Sequence, residues 1–462
     1  MNFEKLVKKA SKANKAGDFG LAKTLCNKII SQVPDNPVGY KLLATNLIKL
    51  NEYISAEKII GKAIALGEQS LMFYQLQANV WIETEKFDLA LHQLEQLFNQ
   101  TGENSILLDI ALVYHRLGQF KDAMNVYMAL IERQPEHQQA RYNLSLLQLY
   151  TCDLIQGWEG FEARHNVADA LKMEEYTLPY RSGDSLAGKR VLVVPEQGIA
   201  DQIIFSSCLP DLLAIAEEVL VICDERLKQL FINSFDGIQV YTKKDLNSVK
   251  LRIESCNLQI PMGTLPSVFR SSASKFTSTA VYKTDPILVE KVKAQLNPQK
   301  LNVGISWYGG QKNNAKVNRW SSNIADWQAL FQLENINWVD LQFGEHKQEV
   351  ARESSIKGNL ISIVGFSAKD NFTHYGALIE QLDLVISVDN AAAVFSAFLG
   401  KTTWVLAPKD PFWIWSQIEG GSPWFSNNDL LLTRGKKSWS DCLLSLKEPL
   451  VNMRDQKLKS TL

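Results

Sequence analysis

The sequence has no CxxC pair. Its six cysteines, Cys26, Cys152, Cys208, Cys223, Cys256 and Cys442, stand far apart, which points away from both a zinc knuckle and a disulfide framework. No DxD triplet occurs, so the sequence requires no metal. Neither sign of charge predominates: 49 Lys plus Arg against 50 Asp plus Glu give a formal net charge of −1, with no global pull toward nucleic acid or a membrane surface. No uninterrupted apolar stretch reaches membrane-spanning length, and the lysine-rich start, MNFEKLVKKASKANKAGDF, lacks the apolar core of a signal peptide. These absences predict a reduced, cytoplasmic protein without a membrane span. At 462 residues the chain is too long for one compact core.

What is present, first, is a period. Phe19, Tyr53, Phe87 and Phe120 follow one another at 34, 34 and 33 residues. Each is followed three residues later by alanine (Ala22, Ala56, Ala90, Ala123), and a large apolar residue recurs farther on, at Tyr40, Tyr74, Leu108 and Tyr142. Small residues let paired helices approach closely while the large ones fill the gaps between neighbours. Chance amphipathicity would not keep this register over four copies. The pattern resembles a tetratricopeptide array, with Pro34 and Pro135 where second helices end. It is expected to run over 1–165 and to close on GWEGFEARH, whose Trp158 and Phe161 would cap the last exposed face. Stacked helix pairs of this kind usually hold an extended peptide or another protein.

After a polar linker at 166–188 the pattern changes to strand and helix in alternation. RVLVV, EVLVIC, IQVY, NVGIS, NWVDLQ, LISIV, LVISV and TTWVLA read as strands, and segments such as PILVEKVKAQL and ADWQALFQL have helical spacing. The expected architecture is an α-solenoid followed by an α/β region of two doubly wound, Rossmann-like domains, 189–295 and 296–462. Ligands in such folds sit at the carboxyl ends of strands.

Those ends carry the candidate site. RVLVV delivers Glu196, Gln197, Gly198 and Asp201. NVGIS delivers WYGGQKNNAKVNRW, with Gly309, Gly310, Lys312, Lys316 and Arg319. LVISV delivers Asp389 and Asn390, opening a helix whose amino terminus favours an anion such as phosphate. TTWVLA is followed by a segment dense in aromatics, including Trp413, Trp415 and Trp424, suited to stacking on a flat ring. An acid facing a cationic loop across a cleft suits glycosyl transfer from a nucleotide sugar. Taken singly, each feature has a plainer reading: Asp201 and the Asp389–Asn390 pair as helix caps, Lys316 and Arg319 as solvated charges, the tryptophans as filling between domains.

PEQGIADQIIFSSCLPDLL, VGISWYGG, LDLVISVDNAAAVFSAFLGKTTWVL and SPWF together resemble a known family. Its members are bacterial proteins joining tetratricopeptide repeats to a GT-B domain similar to the ADP-heptose lipopolysaccharide heptosyltransferases. The resemblance implies an inverting, metal-independent transferase that binds a nucleotide sugar mainly in its second domain, with the acceptor on the first and no cofactor. It places Asp201 as general base, Lys316 and Arg319 against the leaving diphosphate, and Asp389 and Asn390 at the nucleotide-facing turn. The chain departs from the family pattern at Ala200, where a second glycine is common, at Val394, where histidine is usual, and at Ile414, where arginine is usual. Three functions are therefore weighed. The first is transfer to a protein acceptor held by the repeats, with flagellin the acceptor class to try first. The second is a catalytically degenerate adaptor, and the third a transferase acting on a polysaccharide or lipid-linked acceptor.

Overall fold

A computed structural model describes residues 3–68, 70–167, 178, 183, 185–196, 198–276, 281–309, 320–344, 346–353, 356, 359–369, 371–416, 422–425, 430–433 and 437–461. It divides into two compact units, one of residues 1–140 and one of residues 141–310 and 318–462. No described helix is long and apolar enough to cross a membrane.

The first unit is built of helix pairs: α1 (Phe3–Lys15) with α2 (Phe19–Gln32), α3 (Pro37–Lys49) with α4 (Tyr53–Ala65), α5 (Leu71–Glu83) with α6 (Phe87–Thr101), and α7 (Asn104–Arg116) with α8 (Phe120–Arg133). Each periodic aromatic is the first residue of the second helix of its pair, and each periodic alanine is buried. The turn inside each pair is also periodic. Gly17, Asn51, Glu85 and Gly118 all adopt positive φ, between 59° and 78°. The next residue in each turn donates its amide five residues back, as in Asp18 to Ala13 and Gln119 to Tyr114. This left-handed helix ending satisfies carbonyls that would otherwise be orphaned, which is why glycine and asparagine serve well there.

The register continues into a fifth pair, α9 (Gln138–Tyr150) and α10 (Leu154–Phe161). Cys152 takes the positive-φ position at 60°, and the Asp153 amide donates to Gln148. Gly157 stands where the earlier copies have alanine, and a Cβ there would lie 2.8 Å from Leu149 Cδ2.

The rest of the second unit is α/β. Strands β1 (Arg190–Val194), β2 (Glu218–Ile222), β3 (Gln239–Tyr241) and β4 (Leu258–Pro261) form a parallel sheet in the order β3-β2-β1-β4. Strands β5 (Leu301–Ser306), β6 (Ile336–Asp340), β7 (Leu360–Ile361), β8 (Leu384–Val388), β9 (Thr403–Ala407) and β10 (Leu430–Thr433) form a second, also parallel, in the order β10-β9-β8-β5-β6-β7. The α-solenoid followed by two Rossmann-like sheets is the expected fold class. All eight anticipated strands form, joined by β4 and β10, whose short runs, one interrupted by Gln259 and ended by proline, gave weak signals.

Helix α11 (Ile199–Ser206), after β1, packs against the helix Ala391–Phe398 that follows β8. A shared core runs from Val191 and Phe205 through Val394 and Phe395 to Trp413 and Trp424. Trp158 and Phe161 belong to this core: Trp158 meets the Trp413 ring edge-on at 5.5 Å and donates its indole N–H to Arg270 O at 3.0 Å. They were expected to cap an exposed helical face. Both are instead at most 2 % exposed, because two large aromatic faces gain more by burial in a preformed core than at a solvated end.

Candidate functional site

Each sheet has one place where the strand order reverses, and the crevice outside the carboxyl ends there is where open α/β sheets bind ligands. In the first sheet it lies between β1 and β4, in the second between β5 and β8.

The first crevice is occupied by the chain itself. Arg164, in the 3-10 turn Glu162–Asn166, is fully buried and uses all five guanidinium N–H groups. Nε and Nη2 reach the two oxygens of Glu196, each at 3.0 Å; Nη2 also reaches Thr264 Oγ1, and Nη1 reaches Phe161 O and Glu162 Oε1. Glu196 additionally accepts from the Gly263 amide at 2.6 Å. A Cβ at position 263 would sit 2.5 Å from Glu196 Oε2, so this close approach requires glycine. Glu196, expected at the acceptor side or turn, is thus a buried structural acid with both oxygens engaged by its own chain.

Asp201 lies in the first turn of α11, half-buried. Its Oδ2 accepts from the Gly198 amide at 3.0 Å, a cap for the helix. Burial pushes its carboxyl up to about 7; the Gly198 and own-residue amides oppose the shift, and the nearby Glu196 charge reinforces it. Capping and proton acceptance are therefore compatible in one side chain.

The second crevice is a cleft of about 260 Å³. Its lining includes Ser306, Tyr308 and Gly309 after β5, Gln342 and Phe343 after β6, Asn390 after β8, and, from the first sheet's side, Ile199 and Arg226. Asp201 is two residues from Ile199 and is not itself in the lining. Two amide side chains fix the backbone after β5. Gln342 Oε1 accepts from the Trp307 and Tyr308 amides, both at 2.9 Å, while its Nε2 donates to Tyr308 O. Asn390 Nδ2 donates to Ser306 Oγ and Tyr308 O. Gly309 donates to Ser321 Oγ at 3.0 Å. The cleft wall is thereby set before any ligand arrives.

Two expectations for this region are corrected. Asn390 Oδ1 accepts from the amides of Ala392 and Ala393, so the helix start expected to offer free amides to phosphate is already capped. Asp389 takes the Phe412 amide on one oxygen and the Trp415 indole N–H on the other, both at 2.9 Å, so it anchors the tryptophan segment and does not face a nucleotide. Burial pushes its carboxyl up to about 6, opposed by those two bonds and reinforced by Asp410. Trp413, Trp415 and Trp424 are at most 7 % exposed, with Val394 and Ile414 buried among the same core residues, so none of these three indoles is presented for stacking. Gln197, Gly310, Lys312, Lys316 and Arg319 lie outside the described residues. Among the described residues, no group of His, Cys, Asp and Glu is arranged to hold a metal ion.

Sequence reasoning passed over Arg164, Arg226 and Gln342. Arg226 had a usable signal, since it stands in DERL directly after strand EVLVIC, at a carboxyl strand end like the others. Gln342 is the last residue of the anticipated strand NWVDLQ, also at a carboxyl end. Arg164 had none, because its partner Glu196 is 32 residues away.

No family model matches the chain. It is 26% identical over 272 residues to Protein FlbA of Caulobacter vibrioides, a match covering 54% of this chain and 45% of that protein, so the chain spans under half of that relative's length. Among solved structures, YrrB, described as a TPR protein with an unusual peptide-binding site, aligns at 16% identity over 34% of this chain and 82% of its own, with a TM-score of 0.29. MamA from Desulfovibrio magneticus aligns at 16% identity over 37% of this chain and 99% of its own, with a TM-score of 0.33. The repeat architecture stands on the internal register of the chain and its five equivalent turns.

Proposed function

We propose that the chain is a glycosyltransferase that moves a sugar from a nucleotide-sugar donor to a hydroxyl of a protein recruited by the helical repeats. The observation that carries this reading is the preformed cleft at the reversal point of the second sheet. Beside it stands a carboxyl raised to about 7 on the first turn of α11. In this reading the acceptor oxygen attacks the anomeric carbon, its proton passes to Asp201, and the bond from that carbon to the diphosphate oxygen breaks. The nucleoside diphosphate departs with the electron pair. A positioned base of this kind accelerates transfer by roughly 10²–10⁴. Repeats of stacked helix pairs suit an extended protein segment as acceptor, and flagellin is the first candidate class. The test is Asp201→Asn: transfer should be lost while donor affinity is kept, and undiminished turnover would remove the assignment.

A second reading, a binding adaptor on a degenerate transferase fold, is favoured by the buried aliphatics Val394 and Ile414, which take the places of a histidine and an arginine. Calorimetry with a panel of nucleotide sugars separates the two. An adaptor gives no saturable heat with any of them.

A further inference from the structure

We propose that Arg226 is the residue by which the cleft recognises a diphosphate, and that it makes the site select nucleoside diphosphates over nucleosides. This rests on the nucleotide-sugar reading above and names a contact that reading lacked. Arg226 supplies the sole charge among the described lining residues; the carboxylate paired with it, Asp224, lies outside that lining. Of the other polar side chains there, only the buried Tyr308 hydroxyl lacks a hydrogen-bond partner among the described residues; the rest are already committed. Gln342 and Asn390 clamp the β5 loop, Ser306 bonds both of them, and the Tyr375 hydroxyl donates to Leu341 O. Most remaining lining side chains, among them Leu341, Phe343 and Phe372, are apolar. A ligand filling this space is therefore apolar or flat over most of its surface, with its anionic part at the arginine.

The guanidinium is oriented for that role. Asp224 holds Nε and Nη2 in a two-point pair, both at 2.9 Å, and also accepts from the Arg226 backbone amide. Asp224 is in turn fixed through its own amide, which donates to the buried Gln202 on α11. The planar group lies over the Phe343 ring at 5.7 Å, which restricts it from the other side of the cleft. Nη1 has no hydrogen-bond partner among the described residues. The side chain is 29 % exposed, so it is reachable by a ligand and only partly screened by water. A guanidinium held on one edge and open on the other presents parallel donors to phosphate oxygens.

The experiment is calorimetry on the full chain with ADP, GDP and UDP, each beside its nucleoside, for the wild type, Arg226→Gln and Arg226→Lys. The wild type should bind one diphosphate saturably. The glutamine variant should lose roughly tenfold to a hundredfold for the diphosphate and little for the nucleoside. Lysine, which keeps charge without the fork, should fall between. Diphosphate affinity unchanged in Arg226→Gln overturns the assignment while leaving the transferase reading intact; a wild type silent with every nucleotide removes both. Should the variants fail to fold, the wild type alone decides. Its diphosphate affinity should fall with added salt while nucleoside affinity holds, and equal salt response overturns the proposal.

Discussion

Arg164 and Glu196 are each nearly or wholly buried, and every donor of one and both oxygens of the other are engaged. Removing the cation leaves a buried carboxylate uncompensated. Arg164→Met should therefore lower stability by about 3–5 kcal/mol, read as a shift of the denaturant midpoint. Asp201 makes a prediction of opposite sign. Its carboxyl is raised from 3.8 to about 7 in the fold, so the protonated folded form is favoured. The stability this brings is complete below the unfolded value and is lost as pH rises through the folded one. Asp201→Asn fixes the uncharged form, so its melting temperature should match the wild type at about pH 4 and below, exceed it increasingly up to about pH 7 and hold that margin above. If Asp201 is the base, wild-type transfer should rise through the same pH range, gaining activity where it loses stability. The two side chains differ in how legible they were. Asp201 announced itself by following a strand and a polar turn. Glu196 stood in the same stretch without a sign of its structural pairing, because only the tertiary fold brings Arg164 to it.

The strands and helix pairs were readable because their signals are local and repeated. The 33- to 34-residue period survives as five turns with positive φ at the same position and the same backward hydrogen bond. Strand β4 escaped because a four-residue run containing Gln259 and Pro261 carries little β signal, although both its central residues are buried. Of the two readings the sequence offers for Asn390, open amides for an anion or a plain helix cap, the second holds: its side chain closes on Ala392 and Ala393. The same local crowding makes Gly304 testable within β5. A Cβ there would lie 2.5 Å from methyl carbons of both Leu341 and Leu382, on the strand that carries the cleft wall. Gly304→Ala should cost about 1–3 kcal/mol by overpacking and should weaken nucleotide binding, because Leu341 lines the cleft. A variant destabilised to that extent yet binding normally would show that the wall is set by Gln342 and Asn390 alone.

Within the α/β unit the two sheets present unequal crevices: one closed by Arg164 and its five bonds, the other open and bordered by a cation. That asymmetry directs a small ligand to the second sheet, and it separates enzyme from adaptor without knowledge of the acceptor. A ligand that binds only the folded cleft stabilises it by RT ln(1 + [L]/Kd), about 2.7 kcal/mol at a hundredfold excess over Kd. For a domain of this size such a gain moves the melting temperature by roughly 2–4 °C. Titrating the full chain with nucleoside diphosphates should therefore raise its melting temperature with one base preferred, and the rise should be abolished in Arg226→Gln. Asp201→Asn should retain it, since the base acts on the acceptor and makes no contact with the diphosphate. An adaptor predicts a melting temperature indifferent to every nucleotide in all three proteins. A shift lost in Asp201→Asn but kept in Arg226→Gln would reverse the roles given to the two residues, placing the donor's charge at α11 and leaving the open crevice for the acceptor.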